Sequence, residues 1–135
     1  MAGAAGLGMF EACQEKGALG IGVDADQRAF FLDSKPEIAD VIITSMLKRN
    51  DIAMYNMLKG TVEGTLAYGT LETMGVKEGV TALVEDDYYQ EMVPQEVRDY
   101  LEEIKGEIVE KKIKVSSYFG MEQSEFVKVR DSVRL

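Results

Sequence analysis

The chain has 135 residues, which fits a single domain long enough to bury a hydrophobic core. Its 24 acidic and 15 basic residues give a formal net charge of -9, which disfavours binding to nucleic acid or to an anionic membrane surface. Because the chain has no histidine and one cysteine, it cannot form an intramolecular disulfide, the common zinc sites or a histidine-based catalytic triad. We therefore expect no metal, no cofactor and no nucleic-acid partner, and a neutral or cationic ligand.

The chain begins with small residues from Ala2 to Gly8, interrupted by Leu7, and continues into an apolar helical face that Gly17 ends. The face consists of Met9, Phe10, Ala12 and Cys13. This pattern predicts a glycine-rich turn that leads into a helix, with Cys13 as a buried hydrophobe. A turn of this kind can present backbone N–H groups to a polar ligand.

Two apolar runs then end abruptly in charged residues. The run from Leu19 to Val23 precedes Asp24 and Asp26, and the run from Val41 to Leu47 precedes Lys48. Buried parallel strands have such continuous apolar runs, and ligands of open α/β sheets bind beyond the carboxyl ends of the strands. The carboxylates can accept hydrogen bonds from the hydroxyls of a sugar-like diol, and the lysine ammonium offers three N–H donors to hydroxyl or carbonyl oxygens. An aspartate after a strand also serves as a turn former or helix cap, and the spacing alone leaves that alternative open.

Phe30 or Phe31 could stack on a base, and Tyr88 and Tyr89 could mark a recognition patch, but each pair has a structural alternative. We expect Phe30 and Phe31 to pack in the core. We expect Tyr88 and Tyr89 to lie in a solvated loop. Neither pair is therefore placed in the predicted site.

A helix is predicted from about residue 50, with Asn50 or Asp51 as its N-cap and its end near Gly64 or Gly69. Glycines at 60 and 64 weaken it, each by about 1 kcal/mol relative to alanine. If the packing partner of this helix lies outside the chain, apolar surface of the helix is left exposed, which usually marks an interface.

The remaining pattern predicts two short strands within residues 70–84, with a turn near residues 77–79. Pro94 fits the first turn of an amphipathic helix that runs to about Lys112. A short strand is expected at Ile113 to Val115. The tail, residues 116–135, is too apolar for a disordered end, so we expect it to pack on the domain or on a partner.

Three ordered segments resemble a known family: AGAAGLGMFEA (Ala2 to Ala12), GIGVDADQ (Gly20 to Gln27) and TSMLKRNDIAMY (Thr44 to Tyr55). They are similar to motifs of the basic membrane protein family of substrate-binding lipoproteins, the purine nucleoside receptor group. The resemblance implies a type I periplasmic binding protein of two lobes, which delivers a nucleoside or a related solute to the permease of an ABC transporter.

The resemblance covers residues 1–115, and no counterpart of the first lobe is found in the chain. It implies an α/β fold, a three-layer parallel-sheet lobe with the first lobe missing, followed by residues 116–135 as an extra tail. Such a parent receptor is anchored to the cell membrane on its outer side. The chain itself shows no signal peptide, Cys13 lacks a lipobox, and no apolar run of about 20 residues is present, so we expect it to be soluble.

The resemblance also assigns roles to particular positions. It carries over Asp24 as the acceptor for ribose hydroxyls and Lys48 as a polar contact in the cleft. Asp26 is expected to help shape the strand end. The backbone of Gly3, Ala5 and Gly6 would approach the base or the sugar, although the family often has consecutive glycines where this chain has Ala4 and Ala5. Since one lobe supplies half of a cleft, we expect weak or undetectable nucleoside binding by this chain alone.

Two alternatives belong to other classes of function. The chain could be a structural unit that self-associates, so that a second copy covers its exposed sheet edge and helix, and a homo-oligomer is expected on this basis. It could also be an α/β enzyme that uses Asp24 and Asp26 as a carboxylate pair and Lys48 as an acid or Schiff-base former. No further residues support catalysis, so we assign no catalytic residue and expect the chain not to be an enzyme.

Overall fold

Helices and strands alternate along the first two-thirds of the chain in the computed structural model, which describes residues 6–117 and 121–133. The elements in chain order are α1 (Leu7–Lys16), β1 (Gly20–Asp24), α2 (Pro36–Ala39), β2 (Ile42–Lys48), α3 (Asn50–Glu63), β3 (Thr81–Leu83), α4 (Asp87–Met92), α5 (Gln95–Val109) and α6 (Gln123–Ser132). This is the mixed α/β composition that the sequence predicts.

The three strands form one sheet in the order β1-β2-β3. β1 and β2 are parallel, as predicted, and their register places Asp24 beside Leu47. β3 runs antiparallel to β2, with Thr81 beside Lys48. The two parallel strands therefore end side by side, and the antiparallel third strand begins next to the same edge.

The hydrophobic core lies between α1, α2 and the first two strands. Phe10, Ile38 and Ile42 form its fully buried part, and Phe31 packs against them. The rings of Phe10 and Phe31 meet edge to face at 6.4 Å, a geometry that aromatic pairs favour. The expected core position is thus found for Phe31, whereas Phe30 is 62% exposed because it lies on the outer side of the same turn.

The fit of α1 on the sheet requires a glycine at the start of β1. A Cβ atom at Gly20 would lie 2.8 Å from Cδ1 of Phe10, which is closer than side chains can approach. Gly17 ends α1 with a left-handed backbone, φ 64°, as its position in the sequence predicts. Cys13 is only partly buried, and its Sγ lies 3.8 Å from the carbonyl oxygen of Leu19.

The helix α3 begins at Asn50 and ends at Gly64, where φ is 70°. Its N-cap position is occupied by Arg49, and no side chain accepts a capping hydrogen bond there, so the predicted capping by Asn50 or Asp51 is wrong. The helix contains no buried residue. Its stability therefore does not come from a covered apolar face.

Several later predictions differ from the structure. Residues 70–75 form no strand, and only the second predicted strand is present, as β3. Tyr88 and Tyr89 lie in α4 and not in a loop, because the carboxylate of Asp86 accepts the N–H of Tyr89 and caps a helix there. α5 starts after Pro94, as predicted, but ends at Val109. Residues 113–115 form no strand.

The described part of the tail forms α6, whose side chains are not buried. The packing of the tail on the domain or on a partner stays a prediction. Within the described ranges, none of the helices combines the length and the apolar character that a bilayer crossing requires.

Candidate functional site

The predicted ligand-binding residues lie at the carboxyl ends of β1 and β2. Asp24 is the last residue of β1 and Lys48 is the last residue of β2, and both side chains are exposed. Asp24 is in register with Leu47, so Lys48 lies one residue further along the neighbouring strand. Side chains alternate between the two faces of a sheet. The register therefore assigns Asp24 and Lys48 to opposite faces of the sheet, at the same end of it.

The backbone of Asp24 adopts the left-handed conformation, with φ 73°. Aspartate and asparagine tolerate this region better than other residues that carry a side chain. The conformation ends the strand abruptly and turns the chain back over the sheet edge. A carboxylate is thus presented where the strand stops.

The loop after Asp24 is held by two hydrogen bonds to side chains. The N–H of Val23 donates to Oε1 of Gln27 at 3.1 Å, and the N–H of Gln27 donates to Oγ of Ser45 at 3.1 Å. Ser45 is completely buried. The loop is therefore anchored both to its own strand and to the neighbouring strand, which restricts where the Asp24 carboxylate can lie.

Gly22 makes this anchoring possible. Gly22 and Ser45 are register partners in the sheet. A Cβ atom at Gly22 would lie 2.2 Å from Oγ of Ser45 and 3.0 Å from Cβ of Gln27. Only a glycine leaves room for both side chains. Sequence reasoning did not assign a role to Gly22, Gln27 or Ser45, although all three stand within the motifs GIGVDADQ and TSMLKRNDIAMY.

Side-chain contacts of Asp26 and Arg28 stabilise the turn that follows Asp24. Oδ1 of Asp26 accepts the N–H of Ala29 at 3.3 Å, so this carboxylate stabilises the turn. The guanidinium of Arg28 lies 3.8 Å from the ring centre of Tyr88 in α4, a cation–π contact. Tyr88 in turn donates a hydrogen bond from its hydroxyl to the carbonyl oxygen of Asp40, at 2.5 Å.

Next to Lys48, an ion pair begins α3. Nη2 of Arg49 lies 2.7 Å from Oδ2 of Asp51. The hydrogen bond from Arg49 lowers the pKa of the Asp51 carboxyl to about 2. Since Arg49 is committed to Asp51, Lys48 is the cation at this strand end that has no ion pair among the described residues.

The predicted glycine-rich contribution is only partly described. Gly3 and Ala5 lie outside the described residues. Gly6 occupies the N-cap position of α1, and a Cβ atom there would meet nothing within 4 Å. Among the described residues, no group of three or more His, Cys, Asp or Glu side chains is arranged to hold a metal ion.

A separate cleft of about 480 Å³ lies between α3 and the segment that follows it. Its walls include Asn56, Met57, Leu66, Leu71 and Glu78. None of the predicted ligand-binding residues lines this cleft. The sequence does not indicate this cleft, because no recognised ligand-binding motif falls within residues 65–78.

The chain belongs to the family of PnrA-like ABC transporter substrate-binding proteins (Bmp), whose family model matches residues 1–117. No curated protein matches the chain. Two solved structures have a similar fold. One is an ABC transporter solute-binding protein from Aeropyrum pernix K1, with a TM-score of 0.67 and 24% sequence identity. The match covers 98% of this chain and 42% of that protein's chain. The other is a transcriptional activator of the comK gene from Bacillus halodurans, with a TM-score of 0.62 and 23% identity, and the match covers 82% of this chain and 35% of that one.

These matches confirm the predicted family and the predicted α/β fold of a solute-binding protein. At this level of identity the two structures establish the fold alone. The chain spans less than half the length of each solved chain. Activity, substrate and partners of a whole receptor are therefore matters for proposal.

Proposed function

We propose that this chain recognises a small hydroxylated solute at the carboxyl ends of β1 and β2, as part of the receptor of an ABC transporter. The observation that carries the proposal is the anchored loop that presents Asp24. The loop is tied to two strands through Gln27 and Ser45, and Lys48 ends the neighbouring strand. Rigid placement of a few polar groups is what orients a small ligand in a binding site.

The solute is a purine nucleoside in this proposal. A carboxylate accepts hydrogen bonds from both hydroxyls of a ribose, and the lysine ammonium donates to a ring or hydroxyl oxygen. The backbone of Gly3, Ala5 and Gly6 completes the contacts to the base or the sugar. Asp26 supports the loop and does not replace Asp24. Recognition is reversible hydrogen bonding, without a covalent step.

The bound solute is handed to the permease of the transporter, on the outer side of the membrane. A receptor of this class encloses its ligand between two lobes. One wall alone leaves much of the solute in water, so the affinity of the 135-residue chain is low. We expect dissociation constants in the millimolar range or weaker.

The experiment is a nuclear magnetic resonance titration of the labelled chain with adenosine, guanosine and inosine, and with ribose as a fragment. The proposal predicts concentration-dependent amide shifts at Gly22 to Gln27 and at Lys48. The variant Asp24→Asn should lose them. The matched control Asp33→Asn removes an exposed carboxylate from the same turn and should leave them unchanged.

Two outcomes would overturn parts of this proposal. Shifts confined to residues away from the strand ends would exclude the site. Binding below 1 μM by a monomer in calorimetry would contradict the argument that half of the cleft is absent.

A second proposal, self-association, is favoured by the exposed area. The chain exposes 10253 Å². A compact monomer of its mass, 15.0 kDa, would expose about 7,000 Å². The excess of about 3,200 Å² is more than the roughly 1,000–2,500 Å² that each partner contributes to an obligate interface. We propose that copies of the chain associate with one another in solution as a homo-oligomer.

A further inference from the structure

We infer that two copies of this chain associate through the outer face of α3. This inference rests on the proposed self-association and locates it. The outer face consists of Met54, Tyr55, Leu58 and Val62, which are 57%, 63%, 60% and 89% exposed. Their spacing places them along one side of the helix.

The two sides of α3 are reversed relative to an ordinary surface helix, which turns its large apolar side chains toward the protein. The side that faces the rest of the chain carries the half-buried Ile52 and Ala53, together with Asn56 and Gly60. Nδ2 of Asn56 donates to the carbonyl oxygen of Glu78 at 3.4 Å, and a Cβ atom at Gly60 would lie 3.5 Å from Cβ of Leu66. The outer side carries the larger apolar groups. Such a helix is stable when another surface covers it.

The apolar surface continues beyond the outer face. Tyr68 is 74% exposed and its hydroxyl donates to Oγ1 of Thr61 at 3.2 Å, which ties it to α3. With about 150 Å² counted for each side chain, the outer face and Tyr68 together present on the order of 750 Å². This is close to the roughly 800 Å² that each partner contributes to a stable interface.

The charges of the helix permit a second copy to bind. The segment from Arg49 to Glu63 contains two cations and two anions, which pair as Arg49 with Asp51 at 2.7 Å and Lys59 with Glu63 at 3.9 Å. The face is therefore neutral, and the net charge of -9 lies elsewhere. A strongly charged partner would find no complementary charge on it. In an antiparallel pair, moreover, the Asp51 end of one helix lies toward the Lys59 half of the other.

The test compares the unaltered chain with Val62→Glu by light scattering and sedimentation over a range of concentrations. The unaltered chain should have about twice the mass of 15.0 kDa. Val62→Glu should weaken the dimer at least tenfold, because it places a carboxylate in the apolar interface. Val129→Glu in α6 is the matched control, since it introduces the same charge at a valine that is 54% exposed, and it should not change the dimer.

A second measurement follows hydrogen exchange of the α3 amides, which should slow with protein concentration in the unaltered chain but not in Val62→Glu. A monomer at all concentrations would overturn self-association itself. A dimer that Val62→Glu leaves intact, or that Val129→Glu weakens equally, would overturn only the assignment to α3. Circular dichroism of both variants establishes that they are folded.

Discussion

Residues 7–48 and residues 50–74 of this chain differ in how far their apolar side chains are buried. In the first region, Phe10, Ile38 and Ile42 are 1%, 4% and 0% exposed and form one core. In the second region, α3 contains no buried residue and Val62 is 89% exposed. The first region thus contains a packed core, whereas the apolar side chains of α3 need another surface to cover them.

This difference also separates the two functional proposals. The candidate solute site lies at the edge of the packed region, where Gln27 and Ser45 hold the loop that carries Asp24. The candidate interface lies on the uncovered region. The site can therefore be preformed in a single copy, while the order of α3 depends on association. Variants in one region should leave the function of the other intact.

The difference in burial between the two regions is tested most directly by truncating one side chain in each of them. Ile42→Ala should lower the free energy of unfolding by about 2–5 kcal/mol, because it leaves a cavity in the core. Leu58→Ala, at a side chain that is 60% exposed, should change it by less than about 0.5 kcal/mol in a monomeric preparation. Urea unfolding measures both. Equal losses would show that α3 is as well packed as the core.

The anchoring of the Asp24 loop can be tested at Gly22. Gly22→Ala forces a Cβ atom toward Oγ of Ser45 and should cost about 1–3 kcal/mol of stability. Adding Ser45→Ala to that variant removes the closest contact, the one at 2.2 Å, so the double variant should lose less stability than the two single losses added together. Urea unfolding of the four chains gives the coupling. Strict additivity would mean that the two positions do not touch.

The conformation of Asp24 provides a smaller test. Asp24→Ala should cost about 1–2 kcal/mol, because alanine is poorly suited to the left-handed region. Asp24→Gly and Asp24→Asn should avoid most of this loss. Thermal unfolding would contradict the proposed conformation if all three variants had the same stability.

The smallest expected effect concerns the ion pair at the start of α3. The pKa of Asp51 is lowered to about 2 from its ordinary value of 3.8, chiefly by the hydrogen bond from Arg49. A carboxylate with a lowered pKa stabilises the folded state above its unfolded pKa and loses this contribution as the pH falls from about 4 toward 2. Arg49→Ala should return the Asp51 pKa toward 3.8. A nuclear magnetic resonance titration of the side-chain carboxyl carbon in both chains measures the change.

Much of the packed region follows from its sequence because local signals and tertiary structure agree there. Gly17 ends a helix and an apolar run ends at Asp24, so the end of α1 and the end of β1 can both be predicted from the sequence. Residue spacing does not show which atoms lie across a strand pair. The roles of Gly22 and Ser45 depend on their register, which brings a serine hydroxyl into the space above a glycine.

The second region was harder to predict for a different physical reason. The residues after Gly64 have β-prone pieces, but residues 70–75 find no neighbouring strand and stay irregular. The helix prediction for α3 was sound, because its period is local. The outward position of its larger apolar side chains cannot be predicted from the sequence. The side of α3 that faces inward is set by neighbours such as Leu66 and Glu78 and not by hydrophobicity.

The central functional claim is that Asp24 and Lys48 contact one solute across the ends of two strands. The most direct measurement is a double-mutant cycle of Asp24→Asn and Lys48→Met, in which solute affinity is taken from amide shifts at Gly22 and Ser45 during a nucleoside titration. If both side chains touch the solute, each single substitution should weaken binding by itself, and the double variant should bind most weakly. Unchanged affinity in either single variant would contradict the claim.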